Sequence, residues 1–230
     1  MNNEVLEAMQ LRRSIRSFKP DPVPETDLQE IIKAGLYAPS GRGSQDTIIL
    51  AITNPAMVKR LSRLNCEIGG WAPDFDPFYG APAVLIVLAD KTKPTEVYDG
   101  SLVMGNLMLA AHSLGLGSCW IHRAKEEFER PEGKALLKTL GITGEWEGIG
   151  HCAVGYVKGD IPIAPLRKEH RHIAEAICSG RGSRQKGCCV SSTPFKILPI
   201  PPSSGNSSPA WLCGRESGDR RNIWPLWDSI

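Results

Sequence analysis

Residues 11–20 read LRRSIRSFKP and place three arginines within five positions around a serine. Arg12, Arg13 and Arg16 carry guanidinium forks, and Ser14 adds a neutral hydroxyl between them. Such a set suits a phosphate, because the forks make paired, charge-assisted bonds to its oxygens. The same residues suit a solvated helix end whose arginines complement the dipole, and taken alone they leave both readings open. A turn containing Pro20, Pro22 and Pro24 follows. A second basic group, Arg167, Lys168 and Arg171, stands far along the chain in PLRKEHRH.

Two glycine-containing stretches have the character of ligand-contacting turns. In APSGRGSQ (38–45) a helix stops at Pro39, and a Ser-Gly-x-Gly turn feeds a strand. Gly41 and Gly43 there let backbone come close to a flat ligand. GLGSCWIHR (115–123) is not a dinucleotide fingerprint, since Trp120 stands where the third glycine is needed and the strand–helix order is reversed. His122, at the end of an apolar strand, reads either as a catalytic base or as a hydrogen-bonded strand-end histidine. His151 reads as packed and satisfied. The chain has no Walker A sequence, nucleophile elbow, H-E-x-x-H or zinc-deaminase pattern. Phosphate-binding groups and glycine turns without acid–base or nucleophile machinery suit a cofactor that brings its own chemistry.

The elements that must position these residues follow from periodicity. Val5, Ala8 and Met9 predict a first helix leading into the arginines. TDLQEIIKAGLYAPS predicts a second, with Thr26 and Gln29 at capping-box spacing and Leu28, Ile31, Ile32 and Leu36 in one stripe. TIILAIT (47–53) and APAVLIVLAD (81–90) predict strands, the latter covered on both faces. Asn54 and Pro55 predict a helix start, with Val58 and Leu61 inward. YDGSLVMGNLMLAAHSLGLG is apolar nearly all round and predicts a long, buried central helix ended by Gly115 or Gly117. SCWI predicts a short extended piece, EGKALLKTLGI a helix ending at Gly141, and GHCAVGYVKG a further strand. Strands interleaved with helices indicate an α/β or α+β class, with helices flanking one sheet.

Length and composition bound the rest. With 230 residues the chain can bury a real core, and a net charge of +2 gives no general pull toward nucleic acid or anionic lipid. No run of eighteen apolar residues exists, and the N-terminus lacks a signal-peptide core, so the expectation is a cytoplasmic protein with no membrane partner. The seven cysteines, irregularly spaced, fit neither a disulfide framework nor a metal pattern. A globular domain is expected over residues 1–174. Over 175–230 composition shifts: the last 53 residues hold 10 Ser, 6 Pro and 6 Gly and carry +4, which predicts a disordered or weakly docked tail despite Trp211, Trp224 and Trp227.

In that order, RRSIRSF, APSGRGSQ, DGSLVMGNLMLAAHSLGLGSCWI and GIGHCAVGYVKG…PLRKE resemble the flavin-dependent nitroreductase family over residues 4 to about 171. The resemblance implies an α+β fold with a central mixed sheet, a homodimer with FMN at its interface, and electron transfer from NADH or NADPH to nitroaromatics, quinones or similar small acceptors by a ping-pong route. It also implies that Arg12, Ser14 and Arg16 hold the FMN phosphate and ribityl chain, with Arg13 close by. Pro39, Ser40 and Gly41 would contact the flavin, Ile121 and His122 would lie near its reactive edge, and Arg167 would reach the phosphate. No metal and no side-chain catalyst is implied, although His122 could serve. Many relatives have asparagine where Gly43 stands, so that contact is either missing here or passes to Gln45. The aromatic stretch 66–82, with Trp71, Phe75, Phe78 and Tyr79, is expected to line the substrate side. A flavin-binding sensor or storage protein without turnover would carry the same residues, and a scaffold with merely solvated arginines would carry the cluster.

Overall fold

The computed structural model describes residues 3–169. The expected tail, and Arg171 with it, lies outside the described residues. The spine is β2 (Ala83–Asp90), a run with no polar residue before its last position. Its alternation splits the core into two layers. Val84, Ile86 and Leu88 face one cluster, and Ala83, Leu85, Val87 and Ala89 face the other. Both faces are therefore covered, as an unbroken apolar strand requires.

Four strands pair in the order β1-β2-β4-β3, with β1 at Thr47–Ile52, β3 at Gly117–Ile121 and β4 at Trp146–Gly155. All three ladders are antiparallel. The expected mixed sheet is thus corrected for the described residues: the one parallel pairing is the isolated bridge of Ser14 to Ser118. The reason lies in the order: the helix Glu96–Ser113 carries the chain from β2 past one strand position to β3, and β4 then returns between them, antiparallel to both. A bulge at Ile149 interrupts the β2–β4 ladder between Gly148 and Gly150. Gly148 is obligatory there, because a Cβ would collide with the Ala124 carbonyl group.

Helix α1 spans Glu4–Leu11, α2 Glu25–Leu36, α3 Pro55–Gly69, α4 Glu96–Ser113, α5 Ala124–Glu129 and α6 Pro131–Thr139. One sheet face is covered by α2 and α4 through Leu28, Ile31, Val103, Met104 and Leu107, and the other by residues including Leu61, Phe128 and Leu137. Asn54 caps α3 as expected, accepting from the N–H groups of Ala56 and Met57. The Thr26–Gln29 capping box does not form. Pro24, with φ −55°, takes the cap position and starts α2 two residues early, so Gln29 bonds Glu25 one turn back. The apolar positions of α1 are not core either: Val5, Leu6, Met9 and Leu11 are all exposed. α4 buries Gly100, Val103, Met104, Leu107 and Ala111 but exposes Val97, Tyr98 and Leu102. No helix among the described residues is long and apolar enough to cross a membrane.

Candidate functional site

The arginine cluster is built by the way α1 ends. Arg12 leaves the helix in an extended conformation (φ −53°, ψ 132°) while its N–H still bonds the Ala8 carbonyl. From there the chain runs beside β3, with Ile15 N–H donating to the Ser118 carbonyl at 2.9 Å and Phe18 bridging Val157. Ile15 and Phe18 are buried pegs. In extended backbone, positions i, i+2 and i+4 share a side, so Arg12, Ser14 and Arg16 project together. This alternation accounts for a serine standing between arginines.

Arg13 turns the other way. Its Nη1 donates to the Gln10 and Arg12 carbonyls at 2.6 and 2.7 Å, closing the end of α1. Arg12, Arg13, Ser14 and Arg16 line an open cleft of about 250 Å³ together with Pro162, Ile163, Pro165 and Arg167. The structure therefore brings Arg167 to the first cluster across about 150 residues of sequence. No carboxylate lines the cleft. Arg12 Nη1 is buried and has no hydrogen-bond partner among the described residues, a costly state for a cation.

Beside this cleft lies a smaller cavity of about 120 Å³, walled by Leu11, Arg13, Ile15, His112, Ser118, Val157 and neighbours. His112, in the last turn of α4, is held below the usual histidine range by burial first and then by the Arg12 and Arg13 guanidiniums. Burial raises the Cys119 thiol against the opposing pull of Arg16 and Arg12, and pushes Cys152 up to about 12. Both thiols stay protonated at neutral pH, so neither offers a thiolate nucleophile.

β3 continues from Ser118 to Ile121, three residues or roughly 10 Å along the strand. Ile121 is buried and pairs with His151, whereas His122 is exposed just beyond the strand. The turn Pro39–Gln45 does not line the arginine cleft. It is fixed at the other end of α4, where Gly41 N–H donates to Asp99 Oδ1 at 2.9 Å and Thr95 Oγ1 donates to Asp99 Oδ2 at 2.7 Å. Gln45 N–H bonds Ser40 Oγ at 3.0 Å. Arg42 and Gln45 adopt left-handed backbone (φ 57° and 50°), a strained conformation for non-glycine residues. Pro39 and Gln45 are exposed, and Ser40 and Gly41 are half-buried.

Two features escape a reading of the sequence. Asp99, only 4% exposed, fixes the turn from 58 residues away; its sequence signal is one of two acids, with Glu96, in the first turn of a largely apolar helix. A fully buried trio lies under the aromatic stretch, with Glu127 Oε2 accepting from Asn65 Nδ2 at 2.5 Å and lying 3.0 Å from His151 Nε2. Phe78 packs on the His151 ring with centroids 5.3 Å apart. Above it, Trp71, Phe75 and Tyr79 form an edge-to-face series, with Trp71 and Phe75 exposed. His151 is thus packed as expected, but its partner is a buried carboxylate.

The chain is similar to known proteins over most of its described residues. The nitroreductase family profile matches residues 9–68 and 71–156. A protein of Archaeoglobus fulgidus, named as a candidate NADH dehydrogenase/NAD(P)H nitroreductase, is 30% identical over 162 residues, covering 68% of this chain and 87% of its own length. One of the same description from Methanothermobacter thermautotrophicus is 33% identical over 121 residues, 51% of this chain and 60% of the relative. Among solved structures, a Bacteroides fragilis nitroreductase with bound FMN superposes with a TM-score of 0.69 at 28% identity, covering 76% of this chain and all of that one.

Proposed function

The chain belongs to the nitroreductase family, and we propose that it is an FMN-dependent oxidoreductase that passes electrons from NAD(P)H to a nitroaromatic, a quinone or a similar small acceptor. The observation that carries this reading is the cleft itself: four arginines and a serine converge, no carboxylate answers them, and Arg12 Nη1 is buried without a partner among the described residues. A phosphate monoester satisfies that set, so the residues present fit the FMN phosphate. When bound, FMN supplies the electron chemistry, with donor and acceptor using it in turn. Arg12, Ser14, Arg16 and Arg167 hold the phosphate, while Arg13 fixes the end of α1 from which they project. β3 leads from there toward Ile121 and His122, which would hold the rest of the cofactor largely through backbone. Protons come from solvent.

The Pro39–Gln45 turn would reach the flavin only in a homodimer. Asp99 and His112 mark the two ends, thirteen residues or roughly 20 Å apart along α4. A two-fold axis crossing α4 against its copy brings the turn of one chain to the cleft of the other. The exposed side of α4 suits such a crossing. Tyr98, Leu102 and Gly105 fall on one stripe, and a Cβ at Gly105 would meet nothing within 4 Å. Exposed Val5, Leu6 and Met9 add apolar surface for the same purpose.

The purified chain should be yellow and release FMN on denaturation. Arg12→Ala should weaken FMN binding by roughly ten- to a hundredfold, the range expected for loss of a charged hydrogen-bonding partner. A colourless protein that takes up no added FMN would overturn the reading. NAD(P)H oxidation with a quinone or a nitrofuran separates an enzyme from a sensor without turnover.

A further inference from the structure

We propose that His112 is a proton-linked member of the phosphate site: when a phosphate monoester enters the arginine cleft, His112 takes up a proton, and FMN is held more tightly as its imidazole becomes charged. The proposal rests on the FMN reading above and concerns a residue outside the set expected to touch the cofactor.

The geometry supplies the coupling. His112 sits at the C-terminal end of α4 and shares the smaller cavity with Arg13, which also lines the arginine cleft. The charged groups acting on it are Arg12 and Arg13, from the segment after α1. Its other walls, Gly117 and Ser118 of β3 and Val157 and Ile161 beyond β4, carry no charge, and Lys158 and Asp160 beside them are exposed. A helix C-terminus ordinarily favours a protonated histidine. Here burial and the two guanidiniums outweigh that preference, so the residue is neutral at pH 7 while the cleft holds no anion.

Reciprocity makes the consequence unavoidable. If Arg12 and Arg13 disfavour the imidazolium, an anion that neutralises them must favour it, and the imidazolium must favour the anion by the same factor. The sign follows. Without an anion the folded protein holds the His112 proton less readily than an ordinary histidine, because of burial and then the Arg12 and Arg13 guanidiniums; on this proposal it holds that proton to higher pH once phosphate is bound. Affinity is therefore greatest below the lower of the two pKa values and declines as pH rises through the window between them. The limit is about tenfold per pH unit, set by one proton. The phosphate's own second ionisation near pH 6 acts in the opposite direction, since it adds charge as pH rises. That contribution is common to wild type and variant and cancels in their difference.

The test titrates the apoprotein with FMN and with riboflavin, followed by flavin fluorescence between about pH 5 and 8, in wild type and His112→Gln. The expected result is an FMN affinity that falls with pH more steeply in wild type than in the variant, with no such difference for riboflavin. In the wild-type protein, the His112 ring should titrate at higher pH with FMN present than without, read by NMR of labelled histidine. If FMN is preferred over riboflavin but the two proteins share one pH profile, or the His112 titration does not move, the proton linkage is overturned and the FMN reading stands. If wild type binds FMN and riboflavin alike, the cleft is not a phosphate site and both fall.

Discussion

Replacement of Glu127 tests whether the buried trio holds α3, α5 and β4 together. Glu127, Asn65 and His151 are all fully buried, and they tie α5, α3 and β4 to one carboxylate. Glu127→Ala leaves two donors, Asn65 Nδ2 and His151 Nε2, without the oxygen they share. Each stranded buried donor costs about 1–3 kcal/mol. Removing Glu127 also removes its Oε1, which has no partner among the described residues and returns part of the loss. The net expectation is about 3–5 kcal/mol, the range seen when one member of a buried pair is deleted. That is a large share of the ~5–15 kcal/mol available to a domain. Glu127→Gln is a sharper probe, because its amide oxygen, standing in the place of Oε2, can still accept from both Asn65 and His151, so a loss of about 1 kcal/mol or less is expected. Urea denaturation followed by far-ultraviolet circular dichroism, with FMN absent, reads both. An alanine variant within about 1 kcal/mol of wild type, or a glutamine variant as unstable as the alanine one, would refute the reasoning.

Three further outcomes follow from local geometry. Gly148→Ala drives a Cβ into the Ala124 carbonyl group and to 2.8 Å from the Lys125 nitrogen, both backbone, so thermal unfolding should show a loss of several kcal/mol or failure to accumulate folded protein. Gly105→Leu meets nothing within 4 Å in the single chain, so the fold should survive while sedimentation shows dimer dissociation at concentrations where wild type stays dimeric. Asn54→Ala removes the acceptor for Ala56 and Met57 N–H and should cost about 1 kcal/mol in urea denaturation without changing FMN affinity.

What the sequence discloses depends on how locally a feature is encoded. Arg12, Ser14 and Arg16 stand in a single short stretch, and one extended run turns their spacing into a shared direction. Their grouping is legible for that reason. β2 is legible too, since seven successive buried positions leave no other placement. Arg167 joins the cleft from the far end of the domain, and nothing in its own neighbourhood announces that. The Asp99 clamp and the Glu127–His151 pair are invisible for a related reason: each puts an ionisable side chain in a core, where burial is the exception, and each meets a partner at least 24 residues away. α5 is six residues long, too short for an apolar period to stand out. The false capping box has a local cause, since Pro24 already fixes the backbone that begins α2.

The central helix shows a different limit. An apolar surface nearly all round α4 predicts burial on several sides, yet the single chain leaves Val97, Tyr98 and Leu102 exposed. Periodicity registers that a face avoids water, and it is silent on whose atoms cover it. The same helix separates the glycine turn from the arginine cleft by roughly 20 Å. One antiparallel crossing of two α4 helices would remove both discrepancies together, covering the stripe and closing the distance. Any crossing centred away from Gly105 covers the stripe without bringing Asp99 of one chain level with His112 of the other. Tyr98 and His112 lie seven residues to either side of Gly105, so the crossing point and the completed site are a single geometric requirement.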